Sequence, residues 1–257
     1  MMLRDILKKV EDDKWFTDLI DTMSIDFHTF EESDGILYEE DRLDGWDWAT
    51  GLTKICVLTA DFVVKKGFAG YVYDMNLETD EPLESDEYTY KDWEANYCDI
   101  EYGVYLAACE YGVEKFFAEI EPLGNHTYAQ ERCDYVIANI SEDNDDCPEC
   151  LRKIVKEVSA MDDGDSVDDI EQGYDGDCEH FMSRNVISYF LNQYDYDDVI
   201  KLFEFFDEFD ITDLHYYNVG FFWDKESKTY KLKLFDYSGF ESLTNKALKI
   251  HNILVGV

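Results

Sequence analysis

The stretch from Leu52 to Gly67 constrains the fold of this chain more than any other. Two apolar, strand-like runs, Leu52–Leu58 and Asp61–Gly67, are separated only by Thr59-Ala60. A connection that tight predicts an antiparallel hairpin. The rest of the chain is read around it. Met1–Met23 reads as helix, with Leu3, Ile6, Leu7 and Val10 at i, i+3, i+4 and i+7. Gly70–Glu94 reads as a polar, acidic excursion. Tyr97–Phe117 reads as a long helix, with Ile100, Val104 and Ala108 along one stripe and Glu101 beside it. A further strand pair is expected over Glu121–Leu123 and Thr127–Val136. Helical runs follow at Leu151–Ala160, Phe181–Gln193 and Asp197–Phe209, the last with Val199, Leu202, Phe203 and Phe206 at helical spacing. Two final strands, Val219–Trp223 and Thr229–Tyr237, flank a polar turn at Asp224–Lys228. Strands first, then helices, then a hairpin make an α+β plan.

Charge excludes several functions. The 257 residues include 60 Asp and Glu against 22 Lys and Arg, for a net charge of −38. Binding nucleic acid or an anionic membrane requires local positive charge, so neither is expected as a partner. Hydrophobic residues at 46 % and aromatic residues at 16 % supply a real core and exclude a disordered acidic tail. No apolar run approaches the length of a membrane span. Seven cysteines, an odd set with no signal peptide before them, predict a reduced, cytoplasmic setting.

Five polar residues stand in a suggestive order. Lys65 ends the apolar strand Phe62-Val63-Val64-Lys65, and Glu101 lies early in the long helix. Asp213 and Asn218 fall five residues apart in Asp213-Leu214-His215-Tyr216-Tyr217-Asn218. Asp236 follows the strand Tyr230–Phe235 and opens Asp236-Tyr237-Ser238-Gly239. This order resembles the nucleotide site of the protein-kinase-like fold. The Asp-Leu-His loop, the Asp-Tyr-Ser-Gly segment, and the run Tyr97-Cys98-Asp99-Ile100-Glu101 leading to Glu114-Lys115-Phe116-Phe117-Ala118 resemble short kinase-like proteins carried by bacteriophages.

The resemblance implies a two-lobed α+β fold. An N-terminal helix (1–24) would precede a small N-lobe of sheet and one long helix (25–135). A truncated, mainly helical C-lobe (136–257) would carry an acidic insertion at 141–179. It implies ATP and Mg²⁺ as cofactors. Lys65 would grip phosphates, Glu101 would hold Lys65, and Asp213 would serve as base. Asn218 and Asp236 would bind the metal through hard oxygen ligands. The implied activity is phosphoryl transfer to a small molecule or host component, in the host cytoplasm if the chain is phage-encoded.

The sequence departs from the family in three places. No Gly-x-Gly-x-x-Gly precedes Leu52–Leu58; Gly45 and Gly51 are the nearby glycines, with Trp46-Asp47-Trp48 between them. Ile211 and Thr212 stand where a histidine and an arginine are usual. Only Tyr237–Val257 follow Asp236, which leaves no room for a platform that holds a peptide. A degenerate, non-catalytic site fits these departures.

Two other readings compete for the acidic segments. Cys147-Pro148-Glu149-Cys150, with Cys178 and His180, has the donor types of a tetrahedral Zn²⁺ site. Second, the runs at Ser141–Glu149 and Asp162–Glu179 suit an acidic surface that binds a basic host protein where DNA phosphates would otherwise sit. That alternative uses the kinase-like scaffold without catalysis.

Overall fold

A computed structural model of the chain describes residues 2–24, 43–50, 54–67, 75–76, 81–82, 97–141, 146–161, 184–209, 211 and 216–237. The fold is mixed α and β, with six α-helices and antiparallel sheets among the described residues. None of these helices is long and apolar enough to cross a membrane. The chain divides into two compact units. One comprises residues 2–103, 119–131 and 242–257; the other comprises 104–118 and 132–241.

The first unit is built on a five-stranded sheet. Its strands are β1 (Trp48–Thr50), β2 (Lys54–Leu58), β3 (Phe62–Gly67), β6 (Ile120–Gly124) and β7 (Thr127–Glu131), in the order β1-β2-β3-β7-β6. Every pairing is antiparallel. Two-residue strands β4 (Met75–Asn76) and β5 (Glu81–Pro82) pair with each other within the acidic excursion.

The expected hairpin forms, with its tip one residue further on than Thr59-Ala60. The Thr59 N–H donates to the Phe62 carbonyl at 3.0 Å, so Ala60-Asp61 occupy the turn. The Thr59 hydroxyl also donates to that carbonyl at 2.6 Å and lies 3.1 Å from the Phe62 N–H. Beyond the turn, Leu58 pairs with Val63, Val57 with Val64 and Cys56 with Lys65.

Strand alternation then sorts side chains by face. Ile55, Val57, Phe62, Val64 and Ala129 share one face, and all are essentially fully buried. They pack against Leu3, Phe16, Leu19 and Met23 from the N-terminal segment. Full burial of side chains this size stabilises by about 1.5–3 kcal/mol each. The segment expected to be one helix is two, α1 (Leu3–Val10) and α2 (Lys14–Met23). The chain turns between them where the Asp13 N–H donates to the Val10 carbonyl at 2.9 Å.

The opposite face of the sheet carries Lys54, Cys56, Val63, Lys65, Tyr128 and Gln130. The first turns of α3 (Tyr97–Tyr111) supply its partners, described below. α3 ends six residues before the expected boundary. Gly112 takes φ +75°, a left-handed conformation that stops the helix at little cost. A 3₁₀ turn at Glu114–Phe116 follows.

The second unit has a three-stranded sheet, β10-β9-β8, formed by β8 (Tyr135–Val136), β9 (Val219–Asp224) and β10 (Thr229–Leu234). Helices α4 (Glu149–Met161), α5 (Arg184–Gln193) and α6 (Tyr196–Phe209) belong to this unit. Its core is aromatic. The Phe117 ring meets Phe205 edge-on at 5.6 Å and Tyr237 at 5.0 Å, while Phe116 packs on Tyr194 at 4.5 Å. The Ala118 N–H donates to the Leu234 carbonyl at 2.7 Å, which ties the segment after the 3₁₀ turn to β10. The expected strand Thr127–Val136 is split between the two sheets. Asp134 breaks it: its carboxylate accepts from the Trp223 N–H at 2.6 Å, and its own N–H donates to the Phe221 carbonyl at 3.0 Å.

Candidate functional site

Lys65 and Glu101 meet. Lys65 Nζ donates to Glu101 Oε1 at 3.0 Å and reaches Oε2 at 3.4 Å. Both side chains are almost wholly buried, Lys65 at 6 % exposure and Glu101 at 1 %. The local reason lies in two periodicities. Strand alternation turns Lys65 toward α3, and Glu101 sits one helical turn after Cys98 on the surface that covers the sheet.

A third residue joins them. Lys54, on β2, donates to Glu101 Oε2 at 3.3 Å and is equally buried. Two ammonium groups therefore share one carboxylate on one face of one sheet. The sequence reading missed Lys54. The available signal was register: with Cys56 opposite Lys65, Lys54 falls on the same face two residues away. Cys98 is buried within this cluster. Burial pushes its thiol far above the ordinary range; nearby Lys54 opposes that shift, Glu101 adds to it and Lys65 opposes it again.

Neighbouring groups brace the helix. Tyr128, directly across β3–β7 from Lys65, donates its hydroxyl to Asp99 Oδ1. His126 Nδ1 lies 2.6 Å from Asp99 Oδ2. Burial, then the Asp99 hydrogen bond, drives the Tyr128 phenol well above its ordinary value. Further along the same face Gln130 is 1 % exposed, and its Nε2 has no hydrogen-bond partner.

Lys66 and Glu94 are weaker substitutes for Lys65 and Glu101 in the sequence pattern. Lys66 points to the other face, where it donates to the Asn125 carbonyl in the β6–β7 turn. Glu94 lies outside the described residues.

In the second unit, Asn218 and Asp236 stand at the same end of the β9–β10 hairpin. Val219 pairs with Leu234, and the Phe235 N–H donates to the Asn218 carbonyl at 3.0 Å. Asp236 is the next residue. Asn218 is buried and Asp236 half-buried. Tyr237 is buried, with its hydroxyl 3.3 Å from the Ala118 carbonyl. An amide oxygen and a carboxylate are hard donors of the kind Mg²⁺ takes.

Asp213 and His215 lie outside the described residues. Ile211, two residues before Asp213, is fully buried, and its N–H donates to the Phe206 carbonyl at 3.1 Å. Of the proposed zinc ligands, Cys147 is buried and Cys150 exposed, so the two thiols occupy different surroundings. Cys178 and His180 lie outside the described residues. Among the described residues no three His, Cys, Asp or Glu side chains are grouped to hold a metal ion.

Comparison of the chain with known protein families, with curated proteins and with solved structures finds no match, so the functional reading rests on residues and geometry.

Proposed function

We propose that this chain is a kinase-like protein that binds a nucleoside triphosphate with Mg²⁺. The observation that carries the reading is the buried Lys65–Glu101 pair. A lysine held by an acid on a strand facing a helix is an arrangement that presents an ammonium group to phosphate oxygens. In support, Asn218 and Asp236 fall at one end of a hairpin, within one residue of each other across the ladder. They are the residues that would hold Mg²⁺, which when bound would neutralise phosphate charge. Lys65 would hold phosphate oxygens, Glu101 would orient Lys65, and Asp213 would accept a hydroxyl proton from a small acceptor. The absent glycine-rich turn and the replacement of the usual histidine by Ile211 favour binding over rapid turnover.

Calorimetry with ATP and Mg²⁺ tests the reading. Wild type should bind, and Lys65→Met and Asp236→Asn should each weaken binding about tenfold or more, the loss expected for one charge-assisted contact. Binding unchanged in both variants, or absent from wild type, would overturn it.

A second use of the same scaffold has its own observation. α6 presents Asp197, Glu204, Asp207 and Glu208 to solvent along its outer side, with Lys201 among them. In a chain of net charge −38, that face suits a basic protein partner. Such binding would weaken steeply as salt is raised from about 50 to 500 mM. Salt-insensitive binding, or none, to a panel of basic host proteins would dismiss it.

A further inference from the structure

We propose that Lys54 is a second phosphate-gripping cation, and that Lys54 and Lys65 form a clamp for an oligophosphate chain. The identity of the ligand as a nucleotide rests on the reading above; the clamp itself rests on the β2–β3–α3 geometry.

Three observations carry it. First, Lys54 and Lys65 are the two lysines on the helix-facing side of the β2–β3 hairpin, and both contact Glu101, at 3.3 and 3.0 Å. Second, the contacts are divided. Lys65 holds Oε1 and spans toward Oε2, while Lys54 reaches Oε2. Third, Gln130 on the same face offers a buried Nε2 donor that has no acceptor. Buried donors almost always find a partner, so an orphan marks a place where an acceptor belongs. Gln130 lies opposite Val63, two residues along β3 from Lys65. Lysines and amide donor thus follow one another along one face, an arrangement that suits a chain of anionic oxygens better than a single compact ion.

The lysine donors also solve a physical difficulty. A lysine that turns from its carboxylate to a ligand leaves a buried carboxylate unpaired, which is strongly unfavourable. Each ammonium group carries three N–H donors, so either lysine can keep Glu101 paired while donating to phosphate.

The experiment uses the full chain and two probes, inorganic tripolyphosphate alone and ATP with Mg²⁺, titrated by calorimetry. Wild type, Lys54→Met, Lys65→Met and Lys54→Arg are compared, with circular dichroism as the check on folding. Wild type should bind both probes. Lys54→Met and Lys65→Met should each weaken both about tenfold, while Lys54→Arg, which keeps the charge, should stay within about threefold. If Lys65→Met weakens binding and Lys54→Met does not, the clamp is overturned and the nucleotide reading stands. If wild type binds tripolyphosphate but not ATP, the clamp stands and the nucleotide reading falls. Binding of neither overturns both. Should Lys54→Met fail to fold, wild type decides: the Lys54 side-chain resonances must shift on adding tripolyphosphate, and their constancy overturns the clamp.

Discussion

Replacing Glu101 by Gln is the sharpest test of how the first unit is held together. The carboxylate is 1 % exposed and receives both Lys54 and Lys65. Gln keeps the volume but removes the charge, so two ammonium groups lose their shared counter-ion without a cavity being opened. Removing one partner of a buried ion pair costs about 3–5 kcal/mol. In a chain of this size each kcal/mol moves the midpoint by about 2–4 °C, so the melting transition of this unit should fall by roughly 6–20 °C. The control is the apolar triple variant Lys54→Met, Glu101→Leu, Lys65→Met, which removes all three charges together. It should melt within a few degrees of wild type or above it, because a buried ionic cluster often stabilises no more than apolar groups of similar size. Thermal unfolding followed by far-ultraviolet circular dichroism reads both. A Glu101→Gln midpoint within about 2 °C of wild type would refute the reasoning, since it would mean that solvent or other groups already compensate the lysines.

Lys66→Met should destabilise by about 1–3 kcal/mol, by taking the ammonium donor from the Asn125 carbonyl, which keeps the Thr127 hydroxyl, yet leave ATP binding unchanged; urea melts paired with calorimetry separate the two effects. Gly220→Ala should cost about 1–3 kcal/mol in the second unit, because the added Cβ would lie 2.2 Å from Cys133 Sγ and 2.7 Å from the Tyr135 carbonyl oxygen. Adding Cys133→Ala should recover only part of that loss in the same denaturant series, because the backbone oxygen remains. Tyr128 gives a pH signature. Its phenol is raised in the folded state from an ordinary value of 10.0, so above that pH the unfolded chain releases the proton first and stability falls. Urea melts between pH 9 and 11 should show a smaller decline for Tyr128→Phe than for wild type, and equal slopes would dismiss the assignment.

The pairing of Lys65 with Glu101 was legible because each residue obeys a short-range rule. An apolar strand ending in lysine and an amphipathic helix carrying an acid can both be read from a few neighbours. Lys54 was hidden because its position depends on hairpin register, which links residues on two strands. The break between α1 and α2 was missed for a related reason. Leu3, Ile6, Leu7 and Val10 keep a helical stripe, and nothing in that stripe reports the turn at Glu11–Asp13. The division of Thr127–Val136 between two sheets was equally invisible, because it is set by contacts of Asp134 with β9, far along the chain.

The turn at the head of the hairpin acquires a meaning from the four residues Val63-Val64-Lys65-Lys66. Each face of β3 there presents a valine and then a lysine, so this segment alone distinguishes neighbouring registers poorly. A slip of one residue in one direction would still bring a lysine to the Asn125 carbonyl, and in the other would still bring a lysine to Glu101. Thr59 removes that ambiguity. Its N–H and hydroxyl both engage Phe62, which fixes the count from the turn and seats the Phe62 ring in the core. A single hydroxyl at the hairpin tip thereby selects which of two adjacent lysines faces the acid.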